Sequence, residues 1–142
     1  MLKGRYLGLD LGTRTLGISI SDLTGSIATP YTVIRFEDSV YDDLYLKIKD
    51  IVEKEHIVEI VLGLPKNMNN TIGDRGNTTI AFKENLEKFV DINVVLQDER
   101  LSTVEATRYM LEADISRKKR KEKIDSLAAN IILQTYLDKK ER

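Results

Sequence analysis

The chain has 142 residues, 42% hydrophobic and 32% charged, with 22 Lys and Arg against 23 Asp and Glu and a formal net charge of −1. This is the size and composition of one globular domain, expected to span 1–142; it excludes a globally basic nucleic-acid binder but not a local basic patch. Cysteine is absent and His56 is the sole histidine, which excludes disulfides, thiolate zinc sites, iron–sulfur clusters and a multi-histidine metal centre.

No apolar run approaches the ~18 residues of a spanning helix. The N-terminal stretch places Asp10 among its apolar residues and shows no cleavage pattern, so a cytoplasmic protein without membrane contact is expected. An enzyme of this composition would work with carboxylates, hydroxyls, Lys and Arg, and with a hard cation.

In chain order, Tyr6 to Leu11 reads as a buried strand and Gly12 to Arg14 as a turn. Leu16, Ile18 and Ile20 alternate with Gly17, Ser19 and Ser21, which predicts the second arm of a hairpin. Ile27 to Phe36 supplies a third strand. A helix follows over about Ser39 to Glu55, capped by Asp38 or Ser39, with Val40, Leu44, Ile48, Ile51 and Val52 as its apolar stripe. Tyr41 and Tyr45 belong to its packing face, and His56 to its exposed C-terminal end. Val58 to Leu62 has the continuous apolar character of a buried parallel strand. A polar loop, Lys66 to Arg75, leads to a helix carrying Ile80, Phe82, Leu86, Phe89 and Val90. Asn93 to Gln97 is a further strand. Ser102 and Glu105 form a capping box for a helix running to about Asp114. The basic run Arg117 to Lys123 leads into a last helix ending near Leu137. The order β-β-β-α-β-α-β-α-α implies an α/β fold with a mixed sheet and helices on its faces.

Three acids stand where acids are costly. Asp10 ends an apolar strand, where it either caps the turn or holds a cation. Asp98 and Glu99 follow another strand, at the kind of edge where open α/β sheets build their sites, or favour the next helix N-terminus. Asp125 shares a helical face with Ala129 and Ile132, and Ala128–Ala129 would let that helix approach the sheet closely; alternatively, in a helix beginning near Lys123, it is an N-terminal acid favoured by the dipole. Oxygen-only ligation suits Mg²⁺ or Mn²⁺, and carboxylates holding such ions can activate water against a phosphodiester. The run from Arg117 to Lys123 carries six cations and one acid, whereas Glu37 to Glu59 holds eight acids against three lysines. Such segregation fits a phosphate-backbone footprint beside an acidic metal site.

Four segments, in order, resemble the motifs of the YqgF family, RuvC-like proteins of the RNase H superfamily described as Holliday junction resolvases and as pre-16S ribosomal RNA nucleases. The first is Gly8-Leu9-Asp10-Leu11-Gly12-Thr13-Arg14, continuing through Gly17 to Ser21-Asp22. The second is Gly63-Leu64-Pro65 with Asn67, Gly73 and Phe82. The third is Asp98-Glu99-Arg100-Leu101-Ser102-Thr103, and the fourth Asp125-Ser126-Leu127-Ala128-Ala129. The resemblance implies an RNase H-like fold with a five-stranded mixed sheet, its first three strands antiparallel. It also implies that Asp10, Glu99 and Asp125 are the catalytic, metal-binding acids, favouring Glu99 over Asp98. The loop from Asn70 to Asn77 keeps Gly73 and Arg75 but is less basic beyond them than the family pattern.

The function so expected is a Mg²⁺- or Mn²⁺-dependent nuclease acting on structured RNA, the ribosomal small-subunit precursor, or on branched DNA. Arg14, Lys66, Arg75, Arg100, Arg117, Lys118, Lys119, Arg120 and Lys121 are the cations expected against the nucleic acid. Two rivals remain open: an actin-like or sugar-kinase phosphate module, for which no second Asp-x-Gly-Thr is present, and a catalytically silent nucleic-acid-binding factor. Oligomeric state is not readable from the helical stripes.

Overall fold

The computed structural model describes residues 4–38, 40–65, 72–98 and 117–140, with side chains of the last stretch described from Leu127 onward. The elements are β1 (Arg5–Leu11), β2 (Thr15–Ser21), β3 (Ala28–Arg35), α1 (Asp42–Glu55), β4 (Ile57–Leu64), α2 (Asp74–Leu86), β5 (Asn93–Asp98) and α3 (Arg117–Lys140). The five strands form one sheet in the order β3-β2-β1-β4-β5. β1 and β2 pair antiparallel, as do β2 and β3. β4 is parallel to both β1 and β5. The expected mixed sheet, with its first three strands antiparallel, is therefore observed.

Strand alternation sorts the core into two layers. Leu7, Leu9 and Leu11 of β1 point with Leu16, Ile18 and Ile20 of β2 into a cluster that includes Leu44 and Ile48 of α1 and Phe82 and Leu86 of α2. Tyr6 of β1 and Val61 of β4 face the other way, against Ile132, Leu133 and Leu137 of α3. β4 is buried on both faces over its last residues, as its unbroken apolar run predicts.

α3 lies directly on β1 because Gly8 has no side chain. A Cβ at Gly8 would stand 2.7 Å from Leu133 Cβ and 3.0 Å from Ala129 O, and would collide with Ser19 Oγ. Ser19, fully buried, donates its hydroxyl proton to Ala129 O at 2.9 Å. The small residues Ala128 and Ala129 are buried at this crossing, as their spacing implied.

α2 ends at Leu86, so Phe89 and Val90 pack on the core from beyond the helix rather than within it, and three further boundaries differ from the sequence reading. α1 begins at Asp42, with Tyr41 as N-cap and no side-chain cap; Asp38 does not cap it, and Ser39 lies outside the described residues. Val40 is 54% exposed rather than part of the stripe. The tertiary contacts of Tyr41 explain the shift: its ring packs 5.6 Å from Phe36 and edge-on to Phe82 at 5.4 Å. Tyr45, stacked on Phe89 at 5.1 Å, extends the same aromatic cluster, which makes both tyrosines packing residues. Second, Asp74 and Arg75 belong to the first turn of α2, not to the preceding loop. Third, the basic run from Arg117 is already helical, consistent with the strong helix propensity of Lys, Arg and Glu. The capping box at Ser102 and Glu105 and its helix lie outside the described residues.

Candidate active site

The parallel strands β1, β4 and β5 end along one edge of the sheet. Leu9 pairs with Leu62, Gly63 with Gln97 and Leu64 with Asp98. Asp10, paired with Gly17 of β2, stands at this edge and is half-buried. The pleat turns it to the face of Tyr6 and Gly8, the face that α3 covers.

The direction of α3 follows from its contacts. Tyr136 lies 6.4 Å, ring to ring, from Tyr6, while Leu133 and Ala129 meet Gly8. Moving from Tyr6 toward Asp10 along β1 therefore means moving toward the N-terminus of α3. Two strand residues advance about 6.6 Å and four helical residues about 6 Å. Position 125 stands in α3 one turn before Ala129; the Asp125 side chain lies outside the described residues, as do those of Arg117, Lys118, Lys119, Arg120 and Lys121.

β5 sorts its polar residues by the same pleat. Leu96 packs in the α1/α2 layer and Val95 against the α3 layer. Gln97, 7% exposed, shares the side of Val95, and Asp98 that of Leu96. Asp98 is thus on the face opposite Asp10. Glu99, Arg100 and Lys66 lie outside the described residues. Among the described residues no three acidic or histidine side chains stand together.

The cations expected at the site divide. Arg14 is exposed in the turn between β1 and β2 and, with Phe36, Glu37 and Asp38, lines an open pocket of about 400 Å³ at the same edge. Sequence reasoning did not anticipate that pocket, because Phe36 N–H to Arg14 O, 2.9 Å, joins segments that the hairpin brings together. Arg75 is half-buried and donates from Nη2 to Leu11 O at 3.0 Å. His56 is far from this edge. It is the left-handed C-cap of α1 (φ 55°, ψ 50°), its N–H donating to Val52 O, and it immediately precedes β4.

A family model described as "RuvX: Holliday junction resolvase" matches residues 4–139. The chain belongs to the RuvX family. This is the YqgF family that the four motifs resembled. A relative from Staphylococcus carnosus (strain TM300), named as a candidate pre-16S rRNA nuclease, is 48% identical over 139 residues, 97% of this chain and 98% of its own length. A relative of the same name from Staphylococcus aureus (strain N315) shows the same identity and coverage. Among solved structures, Thermus thermophilus RuvC bound to a Holliday junction superposes with a TM-score of 0.56 at 10% identity, covering 97% of this chain and 96% of RuvC. Fowlpox virus resolvase with its Holliday junction DNA gives 0.58 at 8% identity, covering 97% and 99%. At such identities the likeness shows the fold: this chain shares the RNase H-like architecture of these resolvases.

Proposed function

We propose that this RuvX protein is a metal-dependent nuclease that hydrolyses phosphodiester bonds in structured RNA, its substrate being the 5′ end of pre-16S rRNA. The observation that carries the reading is the crossing of α3 on Gly8. It sets Asp10 on the face covered by α3, and the helical register supports Asp125 as its neighbour. Asp98 stands on the face opposite Asp10, which supports the family pattern's preference for Glu99 over Asp98. Family membership and the names of the relatives support nuclease chemistry.

The donor set fits a hard cation. Asp10, Glu99 and Asp125 offer carboxylate oxygens, the chain has no thiol, and its one imidazole stands beyond the opposite edge. Mg²⁺ or Mn²⁺ supplies water activation and charge neutralisation on the phosphodiester when bound. Asp10, Glu99 and Asp125 would hold it. Arg14, Lys66, Arg100 and the cations from Arg117 to Lys121 would hold the phosphate backbone, so binding should weaken with salt. A single domain over 1–142, acting in the cytoplasm, is part of the same proposal.

Branched DNA is the second reading, favoured by the family description and by the junctions bound to the two resolvases. One experiment separates them. Purified protein is incubated with a labelled pre-16S 5′-leader fragment and with a four-way DNA junction, each with EDTA, Mg²⁺ or Mn²⁺, beside Asp10→Asn. Metal-dependent cutting of the leader, lost in the variant, is the expected result. Cutting confined to the junction would replace RNA by branched DNA. Binding without cutting in every lane would favour a silent assembly factor.

A further inference from the structure

The β1–β4 ladder stops two residues short of the ends of both strands. It ends at Leu9↔Leu62, yet β1 continues through Asp10 and Leu11. On the other side Gly12 N–H donates to Thr15 O at 2.8 Å, closing the hairpin. The peptide joining Leu11 and Gly12 is trans, so its carbonyl points away from β2, toward the side where β4 no longer pairs. That carbonyl accepts Arg75 Nη2. A guanidinium thus takes the place of the missing ladder partner, one residue beyond Asp10.

Arg75 is itself held. Its carbonyl accepts the hydroxyl of Thr79, a fully buried residue, at 2.9 Å. The next residue, Gly76, is seated so closely that a Cβ would stand 2.9 Å from Pro65 O, just past the end of β4. The first turn of α2 is therefore wedged against the exit of β4 and reaches across to the exit of β1.

We infer that Arg75 is a positioning residue: through its bond to Leu11 O it fixes the end of β1, and with it the direction of the Asp10 carboxylate toward the bound cation. This deepens the nuclease reading and rests on it. It also changes the role expected of Arg75, from a phosphate contact to a strut acting through Asp10. A group that orients a ligand sets metal affinity and turnover rather than substrate binding. An ammonium would keep the charge but not the fork that reaches the carbonyl, so Lys preserves a phosphate contact better than a strut.

The test compares wild type with Arg75→Lys and Arg75→Ala, both checked for folding by circular dichroism. Three quantities are measured: hydrogen exchange at the Gly12 amide, the Mn²⁺ half-saturation by electron paramagnetic resonance, and kcat and KM on the leader RNA at several salt concentrations. The expected result for Arg75→Lys is faster Gly12 exchange, a half-saturation raised roughly tenfold or more, a lower kcat, and unchanged KM and salt slope. A raised KM with unchanged kcat and Mn²⁺ binding would overturn the inference, as would Gly12 exchange identical to wild type. A wild-type protein that neither binds Mn²⁺ nor cuts would instead overturn the nuclease reading, and Gly12 exchange would still decide whether Arg75 is a strut.

Discussion

The two ends of the sheet are built differently. At the N-terminal end of β1, polar groups are closed off by one another. Asp22 accepts from the Thr24 hydroxyl and from the Ser26 and Ile27 amides. Tyr136 donates to Glu59, and Lys140 sits over the rings of Tyr6 and Tyr136, 5.4 and 5.9 Å from their centroids. Gln134 bridges Ser26 O and the Ala28 amide, pinning α3 to the β2–β3 turn. At the other end β1 runs past the last rung of its ladder with β4, and a long-range guanidinium bond meets its last carbonyl. The first arrangement anchors α3; the second leaves an acid-bearing edge with an open pocket beside it.

This contrast predicts a gradient from activity to stability along β1. The largest effect belongs to Asp10→Asn. Cleavage should fall roughly a thousandfold or more, the scale of losing several kcal/mol of charge stabilisation, while the urea midpoint stays within experimental error. A stability loss as large as the activity loss would make Asp10 a structural acid. Gly8→Ala, midway along the strand, should affect both. Its methyl meets Ala129 O and Leu133 Cβ, so about 1–3 kcal/mol of overpacking destabilisation is expected. Cleavage should fall with it as α3 is pushed off the sheet. Tyr136→Phe should cost about 1–2 kcal/mol in urea titration and leave cleavage unchanged.

The pH dependence follows the same division. Burial, then the hydrogen bond and charge of Glu59, push the Tyr136 hydroxyl well above its usual value of 10.0. A raised pKa favours the protonated form in the folded state, so stability is complete below pH 10 and falls above it. At the acid end, the Thr24 hydroxyl first, then the Ser26 and Ile27 amides, lower Asp22 from 3.8 to about 2. Its contribution is therefore present above pH 3.8 and is lost as pH falls toward 2. Because Asp22 is only half-buried, in a surface turn where water screens its charge, this is the smallest effect: wild type and Asp22→Ala should converge in urea midpoint between pH 5 and pH 2.

Much of the fold was legible in the sequence, for physical reasons. Leu16, Ile18 and Ile20 alternate with small polar residues because one side of β2 faces α1 and α2 while the other lies under α3. Ala128–Ala129 predicted a close helix approach, and Gly8 is the seat that receives it. The start of α1 was not legible. Local capping signals pointed to Asp38 and Ser39, but the helix begins where Tyr41 meets Phe36 and Phe82, and the Phe82 contact joins residues far apart in sequence. Of the site, Asp10 was legible as an acid in an apolar strand. The strut was not: the charge of Arg75 suggested nucleic acid, and its bond to Leu11 spans 64 residues and depends on where the β1–β4 ladder stops.

If Asp10 at the end of β1 and Asp125 on α3 serve one cation, as proposed, both carboxylates are needed to bind it. Mn²⁺ titration of wild type, Asp10→Asn and Asp125→Asn, followed by electron paramagnetic resonance, tests it most directly. Each substitution should weaken binding at the same tight site, and the double variant should be little worse than either single one. Wild-type Mn²⁺ affinity in Asp10→Asn, or weakening by the two substitutions that simply adds, would contradict it.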